Sequence, residues 1–212
     1  MIDRMLPPFV ATHAVRHDPH DAHLLPQEEA HVSRAVPHRR TEYATVRWCA
    51  RKALSHFGVH GHALVKGQAG EPHWPEGIVG SMTHCRGFRA AAVALREHAR
   101  SIGIDAEPHE SLPHGVLDAI ADDAEKEHVR SLRAAHPHVH WDRMLFSAKE
   151  SIYKAWYPVV RHRLTFDEAR VRFSPDGAFT ADLVMSPTTP WPTMTGSWQV
   201  EDGILATSVV TQ

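Results

Sequence analysis

The tightest constraint on the fold is an order of elements that occurs twice: a helix-patterned stretch, then short strand-patterned runs. In the second half, the helical stretch GVLDAIADDAEKEHVRSLRAAH is followed by a helix that covers FSAKES and ends by Pro158. The strand candidates ARVRFSP, AFTADLVM and SWQVEDGILATSVV come next. Asp176-Gly177 and Asp202-Gly203 fall in their turns, and Asp-Gly suits the positive φ angles of tight hairpins. In the first half, residues 26–58 read as helix, interrupted at Pro37 and stopped by Gly58. Val46, Cys49, Ala50, Ala53 and Leu54 recur at helical spacing and form its buried stripe, with Arg40, Arg47 and Arg51 on another face. FRAAAVAL and SIGIDAE are expected to pair as an antiparallel hairpin. PHESLPHG, residues 108–115, reads as a hinge. The pattern predicts an α+β protein of two similar, pseudo-twofold lobes, residues 1–108 and 109–212, packed tightly because no low-complexity linker separates them.

Composition narrows the function classes. A net charge of −2 argues against a general nucleic-acid binder. No uncharged apolar run approaches the length of a membrane span. Asp3, Arg4, Pro7, Pro8, His13 and Arg16 break the first apolar stretches, so no secretory signal is expected. Cys49 and Cys85 make neither a disulfide framework nor a CxxC motif, and the expected compartment is the cytoplasm. The 19 histidines fall mostly in loops. HPHVH, residues 136–140, could bind a transition metal, but alternating loop histidines lack the other fixed ligands of a zinc site.

Chemistry gathers in three places. In SIGIDAE, strand alternation puts Gly103, Asp105 and Glu107 on one face and Ile102, Ile104 and Ala106 on the core face. Two carboxylates there suit a hard cation such as Mg²⁺, and Gly103 leaves room for a ligand to approach. In FSAKESIYK, Glu150 and Lys154 lie four apart on a helix, with Lys149 at the edge of the same site. Ser147 and Glu150 also fit a capping box, which would make Glu150 a backbone partner only; local sequence leaves both readings open. GSMTHC, residues 80–85, offers hydroxyls and His84 to a phosphate. Arg39, Arg40, Arg47, Arg51, Lys52 and Lys66 supply positive charge to the same half. Together these suit a substrate with several phosphates, such as a nucleotide derivative or coenzyme A.

These residues resemble the Sfp-type 4′-phosphopantetheinyl transferases, and look closest to the enterobactin-type and actinobacterial branch. The resemblance is carried by GEPHWPEGIVGSMTHCRGFRAAAVA, SIGIDAEPHESLPHGVLDAI and WDRMLFSAKESIYKAWYP, which span about residues 66–158. It implies an active site between two lobes and transfer of phosphopantetheine from coenzyme A to a serine of apo acyl or peptidyl carrier proteins. Asp105, Glu107 and Glu150 would hold Mg²⁺ (or Mn²⁺). Glu150 would act as base and Lys154 on the departing phosphate. Arg39, Arg47, Lys66, Gly67, Gln68, Ala69, Thr83, His84, Asp105, Lys149 and Lys154 would bind coenzyme A. Two departures stand out: Ala106 occupies the middle of the metal motif, where some relatives have a polar or acidic side chain, and FSAKE replaces the Trp-containing sequence of the Bacillus branch. A monomer is expected, because one chain supplies both halves of the site. The rival readings are a Mg²⁺-dependent phosphohydrolase using the same acids, and a non-catalytic protein that binds coenzyme A or a metal.

Overall fold

The structure is a computed structural model, and residues 1–184 and 190–212 are described. Pro37 opens helix α2 (Pro37–Leu54), where its missing N–H would have had no helical partner. A single turn, α1 (Pro26–Glu29), and a 3₁₀ turn precede it rather than one long helix. The expected stripe of α2 is buried, and Gly58 ends the region with φ +70°. The helix lies on a three-stranded antiparallel sheet of β1 (Ala11–Val15), β2 (Ile78–Cys85) and β3 (Phe88–Leu95), with β3 in the centre. Of the small side chains in β3, Ala91 is fully buried against Cys49 and Ala50 of α2, while Ala90 and Ala92 are buried on the other face with Ile102 and Ile104.

The second sheet has five antiparallel strands in the order β4-β8-β7-β6-β5. They are β4 (Ser101–Pro108), β5 (Ala169–Ser174), β6 (Ala178–Leu183), β7 (Thr193–Glu201) and β8 (Ile204–Thr211). Asp202 and Gly203 take φ +48° and +75° in the β7–β8 turn, as their pairing predicts. Met185, the end of the expected strand AFTADLVM, lies outside the described residues. The expected hairpin of β3 and β4 does not form: β4 pairs with β8, with Asp105 opposite Thr207. The chain therefore passes from the first sheet to the second between Leu95 and Ser101. On its other side, β4 meets β2 through hydroxyls. Ser81 Oγ accepts from the Ile104 N–H at 3.0 Å and Thr83 Oγ1 from the Ala106 N–H at 2.9 Å. Those two amides are satisfied without a direct ladder, and so the two sheets stay distinct.

Helices α3 (Val116–Ile120) and α4 (Asp123–Ala135) lead to α5 (Trp141–Val160). Trp141, Met144, Leu145, Ala148, Ile152 and Trp156 of α5 enter a core with Phe173, Phe179 and Leu205. A helix on an antiparallel sheet thus occurs twice, on sheets of three and five strands. Three expectations change here. The helix passes Pro158 and ends at Arg161: the proline lacks its own N–H, but the helical bonding resumes beyond it, with the Arg161 N–H on the Tyr157 carbonyl. Ser147 lies mid-helix, which excludes the capping box. Gly103 does not admit a ligand: a Cβ there would lie 1.8 Å from the Ser151 carbonyl oxygen, so the glycine makes room for α5. The opposite face of β4, Ile102, Ile104 and Ala106, is buried as expected, against Ile2, Met5 and Leu6 of the N-terminal segment. No helix of the described residues is long and apolar enough to cross a membrane. Both cysteines are free and buried.

Candidate active site

Because α5 runs along the Gly103 face of β4, it meets the two strand acids. Asp105 is 5% exposed, and its Oδ1 accepts from Lys154 Nζ at 2.7 Å. Lys154 also donates to the Ile104 carbonyl at 3.1 Å. Asp105 Oδ2 is buried without a hydrogen-bond partner. Glu107 pairs with Arg143 at 3.1 Å. Burial, then the neighbouring Asp105, push the Glu107 carboxyl up to about 7 against the pull of Arg143. Glu150 has no hydrogen bond or ion pair with another described residue. Burial raises its pKa, Lys154 lowers it and Asp105 raises it further. Asp105 thus couples electrostatically to both glutamates. Among the described residues, no three His, Cys, Asp or Glu side chains are gathered closely enough to enclose a metal ion. The three acids expected as ligands converge on one region without forming a ready cage.

Next to these acids lies a cavity of about 310 Å³, lined by Arg39, Tyr43, Arg47, Lys66 and His84, with Glu150 and Lys154 at one side. Arg47 is 3% exposed and donates from Nε to the Leu64 carbonyl at 2.8 Å. Its guanidinium stacks 3.2 Å from the Tyr43 ring centroid, and Lys66 Nζ lies 5.0 Å from the same ring. Burial lowers the Arg47 pKa to about 10, and burial followed by Arg47 and Arg39 lowers that of Lys66. Neither cation forms an ion pair with a described acid, so an aromatic face holds them while their charge stays available to an anion. Arg39 lies 2.8 Å from His84 Nε2. Burial first, then Arg39, push His84 down to about 4, so it is neutral at pH 7. A wider cavity, about 660 Å³, adjoins through Glu150, Tyr153 and Tyr157 and reaches Leu164 and Phe166.

The remaining expected site residues divide. The loop of Lys66, Gly67, Gln68 and Ala69 borders the cavity, with Gln68 exposed. Thr83 is buried, and its hydroxyl accepts from Ala106 N–H and sits 3.4 Å from Asp105 Oδ1. It supports the strand acid from beneath instead of lining the cavity. Lys149 turns away, toward α4. It pairs with buried Glu125 at 2.8 Å and donates to the Ile120 and Phe166 carbonyls, both at 2.7 Å. With three acceptors in a buried setting, its ammonium has no donor left for a ligand. HPHVH forms no metal-holding group. The sequence reading missed Tyr43 and Arg143, although spacing carried a signal for both. Tyr43 is four residues from Arg39 and from Arg47, and Arg143 lies seven before Glu150, each on the site-facing side of its helix.

An α+β frame thus places unneutralised cations beside buried acids at the junction of two sheets, an arrangement suited to handling a polyanion. Residues 27–94 match the 4′-phosphopantetheinyl transferase N-terminal domain, and residues 101–207 match the 4′-phosphopantetheinyl transferase superfamily. The chain is 48% identical to the 4′-phosphopantetheinyl transferase Svp of Streptomyces mobaraensis, over 99% of this chain and 88% of that one. It is 45% identical to PptT of Mycobacterium tuberculosis, over 91% and 88%. It is 40% identical to Npt of Nocardia iowensis, over 99% of both chains. The chain belongs to the 4′-phosphopantetheinyl transferase family.

Proposed function

We propose that the chain transfers 4′-phosphopantetheine from coenzyme A to a serine of an apo carrier protein, with Mg²⁺ (or Mn²⁺), releasing adenosine 3′,5′-bisphosphate. The carrying observation is the cavity in which Arg47 and Lys66 stand on Tyr43 without acid partners, open to Glu150 and Lys154. The phosphates of coenzyme A suit those cations, with Arg39 and His84 at the same wall. The long pantetheine arm suits the adjoining cavity.

The residues also fit a hard cation. Asp105 Oδ2 is a buried oxygen with no partner, Glu150 is unpaired, and both are oxygen donors of the kind Mg²⁺ takes while keeping some of its water. Asp105, Glu107 and Glu150 would hold it, and when bound it would offset the charge of the pyrophosphate. In the reaction the serine Oγ forms a bond to the phosphorus that carries the pantetheine. The bond from that phosphorus to the bridging oxygen breaks, and the adenosine bisphosphate leaves with the electron pair. Glu150 takes the serine proton; its raised pKa makes it a better base than an ordinary carboxylate. Lys154 stabilises charge on the departing phosphate. Both walls of the cleft come from one chain, so this reading needs one protomer, working in the cytoplasm.

The test is the intact mass of an apo carrier protein incubated with the chain, coenzyme A and Mg²⁺, beside an EDTA control. One added phosphopantetheine, lost with EDTA, is expected. Glu150→Gln should lower transfer by about 100-fold or more while coenzyme A still binds. Near-normal turnover would remove Glu150 as base. Breakdown of coenzyme A without a carrier would favour a hydrolase instead.

A further inference from the structure

Glu71 is an acid on the wall of the cation-lined cavity that the proposed reaction does not use. Its carbonyl accepts from the Gly67 N–H at 2.7 Å, and its Oε2 accepts from the Ala69 N–H at 3.0 Å. A Cβ on Gly67 would lie 2.3 Å from Oε1, so the carboxylate rests on that loop. The side chain is 11% exposed, and Oε1 accepts from Arg161 Nη1 at 2.7 Å. Arg161 comes from the other side of the cleft. It ends α5, the helix that carries Glu150 and Lys154, and its φ of 57° is in the left-handed region that favours glycine. Arg161 takes this conformation although glycine would suit it better; its guanidinium pairs with Glu71 and lies 5.9 Å from the Tyr157 ring centroid.

Glu71 lines the same cavity as Lys66 and Arg47, and an unneutralised carboxylate on that wall repels a phosphate. Neutralised by Arg161, it can shape the loop without repelling the ligand. We propose that Glu71 and Arg161 form a clamp across the cleft, in which Glu71 fixes the 67–69 loop and Arg161 cancels the charge that Glu71 would otherwise set against the phosphates of coenzyme A. Arg161 is thus a positioning residue. The inference rests on the coenzyme A reading above.

Calorimetric binding of coenzyme A to the wild type, R161G, E71Q and the double variant tests it, with thermal unfolding of each. R161G is expected to unfold no lower than the wild type, because glycine suits the positive φ, yet to bind coenzyme A about tenfold more weakly. In steady-state transfer the loss should appear in KM rather than in kcat. E71Q keeps an acceptor for Ala69 and loses the charge, and adding it to R161G should restore most of the affinity. That rescue is something a merely structural contact would not give. Should R161G unfold early, R161Q reads the same charge effect with a long side chain kept. Wild-type affinity without the Arg161 charge, or a double variant as weak as R161G, would overturn the clamp. A wild-type chain that binds no coenzyme A would overturn the coenzyme A reading itself.

Discussion

His84 shows how one buried side chain ties the site to stability. Its imidazole faces Arg39 and is pushed down to about 4, by burial first and Arg39 second. In the unfolded chain the ordinary histidine value of about 6.5 returns. Between those values the unfolded state binds more protons, so His84 contributes stability that is complete above pH 6.5 and is lost as pH falls toward 4. His84→Gln should therefore shrink the drop in unfolding free energy between pH 7 and pH 5, measured by urea denaturation at both. An unchanged drop would mean that His84 does not carry the shift. Lys149 shows where residue-level reading of sequence stops. It and Glu150 are neighbours in the chain but about 100° apart on α5. A lysine beside a glutamate looks equally suited to a phosphate or to a buried partner. What decides is Glu125, 24 residues away, which the linear pattern around FSAKES does not reveal.

At the scale of elements, the contact of α5 with β4 places the acids. Gly103 is the point of closest approach, and an added methyl would collide with the Ser151 carbonyl and lie 2.8 Å from the Ala155 nitrogen. Both are backbone atoms, so no side chain can swing aside. Gly103→Ala should cost about 3 kcal/mol or more in unfolding free energy and should weaken coenzyme A binding, as Lys154 and Glu150 shift relative to Asp105. Wild-type stability in urea denaturation would contradict that contact. This element pair also marks what the sequence made legible. Helical spacing located the stripe of α2, and two Asp-Gly pairs located turns of the second sheet, because those signals are local. Alternation correctly put Asp105 and Glu107 on one side of β4. It could not say that the strand pairs with β8, about a hundred residues on, or that the glycine on the acidic side receives a helix. Both depend on long-range pairing, to which a short apolar strand is indifferent.

Across the whole molecule, the two sheets meet where the acids sit, and hydroxyls make the joint. Thr83 is the informative one, since its Oγ1 accepts from Ala106 N–H and also lies beside Asp105 Oδ1. A direct strand ladder would have merged β2 and β4. Hydroxyl bridges hold the strands together while the three-stranded and five-stranded sheets each keep their own helix. The N-terminal segment adds a second tie, with Arg16 3.3 Å from Asp202 in the β7–β8 turn. The joint and the site are therefore coupled: loosening one should disturb the other. Thr83→Val keeps the shape and removes the hydroxyl, leaving the buried Ala106 amide without its partner. That should cost about 1–3 kcal/mol of stability and speed hydrogen exchange at Ala106, whereas Thr83→Ser should retain both. If the valine variant matched the wild type in urea and kept the Ala106 amide protected, shape alone would be holding the sheets together. Asp105 would then owe its position to Lys154 rather than to the strand beneath it.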